Sequence, residues 1–64
     1  MLHDDPPLEV GALYLFRDYA DKEDCCHFTV LRNNMNANYT VYVHEDGKQQ
    51  EWNVDGLYSC FTKL

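Results

Sequence analysis

Two strand-like runs, residues 39–45 and 48–54, flank the dipeptide Asp46-Gly47. Asp-Gly between alternating apolar residues is the strongest short-range signal for a β-hairpin, because both residues take positive φ at low cost. A two-residue type I′ turn predicts that Glu45 lies opposite Lys48 in the ladder. The hairpin therefore limits the chain to folds in which antiparallel sheet supplies the core.

Side chains alternate along a strand, so the same register predicts two faces. The apolar, core-facing side contains Tyr39, Val41, Val43, Gln50, Trp52 and Val54. The polar side pairs His44 with Gln49, Tyr42 with Glu51, and Thr40 with Asn53. Tyr42 is therefore predicted to be an exposed aromatic, which either packs on Glu51 across the strands or contacts a partner.

The rest of the chain is organised around this hairpin. Residues 1–7 are predicted to be a loose tail and 8–64 a single small domain. Strands are expected over 12–17 and 25–32, the latter with Cys26, Phe28 and Val30 on one face. The Asn-rich segment 33–38 is expected to turn, since Asn tolerates left-handed geometry. Residues 57–64 predict a short 3₁₀ or α turn and then a brief strand, giving an all-β barrel of about five antiparallel strands.

The acidic balance limits the partners. Eleven acidic and five basic residues give a net charge of −6. Direct binding of nucleic acid or of an anionic membrane is disfavoured, because both require an excess of Lys and Arg. A partner protein with a basic surface is favoured electrostatically, although the same charge can serve solubility alone.

No motif in the chain predicts catalysis, a metal or another cofactor. Adjacent Cys25, Cys26 and His27 point alternately to opposite faces of a strand, whereas structural zinc requires ligands spaced to reach one ion. Three cysteines also argue against a full disulfide framework. We therefore expect neither catalytic residues nor a metal site, and the prediction is a protein without enzymatic activity.

Apolar runs are short throughout the sequence. Neither a transmembrane helix nor a secretory signal is predicted from them. We therefore expect an intracellular, cytoplasmic protein.

The pattern as a whole resembles a known family. Gly11-x-x-Tyr14, an acidic loop, His27-Phe-Thr-Val-Leu31, the Asp-Gly hairpin and a final turn and strand are similar to the SH3-like and Tudor-like small barrels. The resemblance covers residues 10–64 and rests on strand spacing. Ala12-Leu-Tyr-Leu-Phe16 matches only the first three residues of the Ala-Leu-Tyr-Asp-Tyr motif of SH3 domains, and the chain has a single Trp. Small acidic barrels of this type also occur among bacteriophage accessory proteins, many of which bind host enzymes; for such a protein the host cytoplasm is the expected location.

The leading hypothesis is an acidic interaction module that docks on a basic protein surface and blocks or modulates a nucleic-acid-handling enzyme by imitating a phosphate backbone. The predicted partner-binding residues are Asp18, Tyr19, Asp21, Glu23, Asp24, Tyr42, Glu45 and Asp46. One alternative is a Tudor-like reader of a basic tail, with an aromatic cage drawn from Tyr14, Tyr19 and Tyr42. Another is a homo-oligomeric structural subunit that pairs through an exposed strand edge.

Overall fold

The computed structural model describes residues 7–17 and 25–64. In chain order the elements are β1 (Leu13–Arg17), β2 (Cys25–Asn33), β3 (Asn38–Val43), β4 (Lys48–Asn53), a 3₁₀ turn (Tyr58–Cys60) and β5 (Phe61–Lys63). All neighbouring strands are antiparallel, in the order β4-β3-β2-β1-β5. The predicted fold class is confirmed: an all-β domain of five antiparallel strands with one short helical turn before the last strand.

The core lies on one face of this sheet and follows the predicted alternation. Phe28, Val30, Val41 and Val54 are fully buried. The ring of Phe28 contacts Trp52 of β4 at 4.9 Å and Phe61 of β5 at 5.2 Å between centroids. Because β4 and β5 are the two outermost strands, these contacts mean that the sheet curls until both of its edges meet one aromatic cluster.

The predicted hairpin register is wrong by two residues. Val43 pairs with Lys48 and Tyr39 with Trp52, which leaves a four-residue turn over 44–47. Gly47 alone in that turn has positive φ, at 66°, and its N–H donates to the Val43 carbonyl at 2.8 Å. A type I′ turn needs positive φ at two residues. Since a shift of two keeps every side chain on its predicted face, the assignment of the inner face is unaffected.

Thr40 corrects the predicted polar face. It was expected to be exposed and opposite Asn53, but it is buried and pairs with Glu51. Its hydroxyl oxygen accepts a hydrogen bond of 2.8 Å from the side-chain amide of Asn34. Asn34 belongs to the β2–β3 connection, so Thr40 is covered by a loop that strand alternation alone does not reveal.

The β2–β3 connection takes left-handed backbone at three successive residues: Met35, Asn36 and Ala37 have φ of 74°, 56° and 64°. Left-handed geometry was predicted from the asparagines, but two of these positions carry residues that pay a steric cost there. Side-chain amides bind the strained backbone. Asn33 accepts from the Met35 N–H at 2.9 Å, and Asn38 donates to the Met35 carbonyl at 3.2 Å.

Two buried tyrosines hold the segment that precedes β1. The Tyr39 hydroxyl accepts from the N–H of Leu8 at 3.1 Å, and the Tyr14 hydroxyl accepts from the N–H of Glu9 at 2.9 Å. Lys63 of β5 donates to the Glu9 carboxylate. Leu8 is buried. Residues 1–6 of the predicted tail lie outside the described residues.

The C-terminal prediction is confirmed. The 3₁₀ turn leads directly into β5, which pairs with β1, and the N–H of Leu64 donates to the Leu13 carbonyl at 3.0 Å. Among residues 7–17 and 25–64, no helix is long and apolar enough to cross a membrane.

Candidate functional site

One end of the sheet gathers the predicted docking residues that the structure describes. The β3–β4 turn, residues 44–47, is called the tip. β1 ends at Arg17 and β2 begins at Cys25, and these two residues pair with each other. Since β3 runs antiparallel to β2, the tip lies at the end of the sheet that holds Arg17 and Cys25. This end, with the tip and the two residues that bound the acidic connection 18–24, is called the acidic end.

A carboxylate ties the tip to the start of β2. Oε1 of Glu45 accepts the backbone N–H of His27 at 2.6 Å, and Oε2 accepts from Nδ1 of the same residue, also at 2.6 Å. The backbone N–H of His44 donates to the His27 carbonyl at 2.9 Å. Three contacts thus fix His27 against the tip. Hydrogen bonds from His27, first from its ring and then from its backbone, lower the pKa of Glu45.

Asp46 is the second carboxylate of the tip. It is exposed, and its Oδ2 accepts from the Gln50 side-chain amide at 3.1 Å. The side-chain oxygen of Gln50, Oε1, in turn accepts from Nε1 of Trp52 at 3.0 Å. This chain of hydrogen bonds orients the Asp46 carboxylate while it stays in contact with solvent.

The charge of the tip extends to the neighbouring thiol of Cys26. Burial, followed by the negative charges of Glu45 and Asp46, raises the pKa of this thiol. A raised pKa keeps sulfur in the protonated form, whereas a nucleophilic or metal-binding cysteine needs the thiolate.

Tyr42 continues the surface of the tip along the outer face. Its side chain is 37% exposed, as expected for an aromatic on the polar face. The ring meets His44 edge-on at 5.0 Å, and Nε2 of His44 lies 2.7 Å from the Thr29 hydroxyl oxygen. A Cβ built on Gly47 would lie 3.8 Å from the Tyr42 hydroxyl. The Tyr42 hydroxyl therefore reaches the turn that carries Glu45 and Asp46, and its ring packs on His44.

The structure brings together Tyr42, Glu45 and Asp46 of the predicted docking residues. Asp18, Tyr19, Asp21, Glu23 and Asp24 lie outside the described residues. Sequence reasoning missed His27, which it treated as an ordinary strand residue. The predicted register had Glu45 facing Lys48, and no local signal identifies a partner 18 residues earlier in the chain.

The aromatic-cage alternative loses one of its residues. Tyr14 is 7% exposed, stacks on Phe28 at 5.5 Å and uses its hydroxyl to hold Glu9. Tyr42 lies on the opposite, outer face of the sheet. A cage needs its rings around one cation, so Tyr14 and Tyr42 do not converge on a single ligand.

Two open grooves lie away from the tip. One, of about 720 Å³, runs between the segment before β1 and the C-terminal strand, and is lined by Pro7, Leu8, Glu9, Tyr14, Tyr58, Ser59, Phe61 and Lys63. The other, of about 340 Å³, lies between the outer strands and is lined by Phe16, Glu51, Trp52, Asn53, Leu57 and Phe61. Among the described residues, no group of three or more His, Cys, Asp or Glu side chains is arranged to hold a metal ion.

Comparison of the chain with protein-family models, with curated proteins and with solved structures found no match.

Proposed function

We propose that this protein is a non-enzymatic interaction module whose acidic end docks on a basic surface of another protein. The supporting observation is that the tip lies at the same end of the sheet as Arg17 and Cys25, the two residues that bound the 18–24 connection. That connection carries four acids and the tip carries two, so six of the eleven acidic residues belong to these two segments. Lys22 is the only base in either segment.

The rigidity of the tip supports docking. Glu45 is held by His27, Asp46 is oriented by Gln50, and Tyr42 is packed on His44. Side chains already ordered in the free protein lose less conformational entropy when a partner binds. An exposed tyrosine beside ordered carboxylates combines the residue type that dominates interface energies with charges that steer a basic partner.

The proposed partner is a nucleic-acid-handling enzyme that the module blocks or modulates. Such enzymes present Lys- and Arg-lined grooves to phosphates. The carboxylates of the acidic end would form ion pairs with the Lys and Arg side chains that otherwise bind phosphates. Binding of this kind forms quickly at low ionic strength and weakens as salt screens the charges.

The test is affinity capture from native lysate with matched charge reversals. The baits are the unaltered protein, Asp46→Lys, a triple variant with Asp21, Glu23 and Asp24 changed to Lys, and Asp55→Lys. Asp55 follows β4 at the opposite end of the sheet, so its variant is a control with the same change of charge as Asp46→Lys. We expect one basic protein that elutes with salt, lost with the first two variants and retained with the control.

Equal loss with Asp55→Lys would show that net charge, rather than the acidic end, drives capture. Equal recovery with every bait would remove the electrostatic part of the proposal. The captured protein is then assayed for its nucleic-acid activity with and without the module, and unchanged activity would argue against inhibition.

A further inference from the structure

Within residues 7–17 and 25–64, the outer edge of β4 has backbone groups without a ladder partner at defined positions. β4 pairs only with β3 among the described strands. The Val54 N–H donates to the Ala37 carbonyl at 2.8 Å, so residues 37 and 54 form a hydrogen-bonded pair. Such pairs alternate along an antiparallel ladder. The backbone groups of Lys48, Gln50 and Trp52 therefore face β3, and those of Gln49, Glu51 and Asn53 face outward.

The side chains of β4 are complementary to a reversed copy of themselves. β4 is the one described strand with both a base, Lys48, and an acid, Glu51. The strand has no net charge, in a protein whose net charge is −6, so β4 is a place where two copies can approach with little repulsion.

An apolar groove lies directly beside this edge. It has a volume of about 340 Å³, and Phe16, Trp52, Leu57 and Phe61 supply its apolar lining. It marks the gap between β4 and β5, the outer strands of the sheet. A strand added to β4 would extend over this gap and cover part of the half-buried Trp52.

We propose that two copies of this chain pair through β4, antiparallel, about a two-fold axis at Gln50. In a continuous sheet the paired residues share a face, so odd positions pair with odd positions. The outward-facing groups of Gln49 then bond to those of Glu51 in the second copy. This surface adjoins the tip at Lys48, and the pairing does not depend on the proposed function.

The side-chain contacts select this register over its neighbours. Gln49 can donate from its side-chain amide to Glu51 of the second copy on the outer face. On the inner face, Lys48 lies opposite Trp52 of the second copy, where an ammonium group meets an aromatic ring favourably. A shift in one direction places Glu51 opposite Glu51, which is repulsive. A shift in the other direction places Glu51 opposite Gly47 of the second copy, which has no side chain to pair with.

The first test is sedimentation equilibrium over micromolar to millimolar concentration, with the unaltered protein and Glu51→Pro. Proline removes an N–H that faces away from β3, so the fold keeps its ladder while the dimer loses two symmetric hydrogen bonds. We expect a concentration-dependent dimer whose dissociation constant rises about tenfold or more in the variant. Circular dichroism verifies that Glu51→Pro is folded.

A second pair of variants tests the interface without proline. Lys48→Glu replaces the ammonium group that faces Trp52 of the second copy with a carboxylate and should weaken the dimer, whereas Arg32→Glu on β2 makes the same change of charge away from the edge and should not. A monomer at every concentration would overturn the proposal. The outer edge of β4 would then be a candidate site for a strand of another protein. A dimer equally strong in Lys48→Glu and Glu51→Pro would also overturn it.

Discussion

The two ends of the central hairpins are stabilised by different chemistry. At the tip, a carboxylate, a histidine and a single left-handed glycine hold the turn. At the opposite end, the β2–β3 connection relies on neutral amide side chains around three left-handed residues. The comparison shows that one sheet can have an end whose geometry depends on charge and an end whose geometry does not. Acid and salt should therefore act on the tip and leave the other end unchanged.

The largest expected effect is at the neutral end. Thr40→Val removes the hydroxyl that accepts from Asn34 and leaves that amide without its partner. We expect a loss of about 1–2 kcal/mol in the free energy of unfolding. Urea denaturation measures it, and the loss should be the same at neutral and acidic pH. Thr40→Ser, which keeps the acceptor, serves as the control. A valine variant as stable as the unaltered protein would show that Asn34 turns to water at no cost.

Exchanging glycine and alanine between the two turns should change stability in opposite directions. Gly47→Ala places a Cβ at φ of 66° and should destabilise the protein, whereas Ala37→Gly relieves the same strain at φ of 64° and should stabilise it. Each change is expected to be about 1 kcal/mol, reduced in the second case by the greater unfolded-state entropy of glycine. Thermal unfolding of both variants measures this. Shifts of the same sign would contradict the assigned turn geometry.

Acid should weaken the tip through Glu45. Its pKa is lower in the folded protein than the ordinary value of 4.5. The stabilisation is therefore fully present above that ordinary value, and is lost as pH falls through the lowered folded pKa. Glu45→Gln should reduce the dependence of the melting temperature on pH between about pH 7 and pH 3. Glu51→Gln, on the neighbouring strand, is the control. If the melting temperature of Glu45→Gln depended on pH as it does in the unaltered protein, the hydrogen bonds between Glu45 and His27 would contribute nothing to stability.

Tyr42→Ser should have the smallest effect on stability and a clear effect on binding. The ring is partly exposed and packs on His44, so its removal should cost less than about 1 kcal/mol in unfolding free energy. Retention of the captured partner should nevertheless fall, because Tyr42 is the aromatic contact beside the carboxylates. Capture equal to that of the unaltered protein would remove Tyr42 from the docking surface.

Local pattern determined some features of the molecule and long-range contacts determined others. The inward faces of β3 and β4 could be predicted because the two-residue period of a strand survives an error of two in register. The length of the tip could not be predicted, because it depends on the contact between Glu45 and His27. The burial of Thr40 could not be predicted from its own strand, because it depends on the position of Asn34 in the β2–β3 connection. For the site, the exposure of Tyr42 could be predicted from strand alternation. The proximity of its hydroxyl to Gly47 could not, because it depends on the observed conformation of the turn.

The hydrogen bond between Leu64 and Leu13 has a practical consequence for handling the protein. Leu13 begins β1 at the end of the sheet remote from Arg17, so Leu64 lies on the side away from the tip. A linker attached after Leu64 would anchor the domain to a bead or a sensor surface with the carboxylates of the tip facing the solution. Immobilisation through such a linker therefore presents the acidic end to incoming molecules, whereas random coupling through lysines would hide it on many copies.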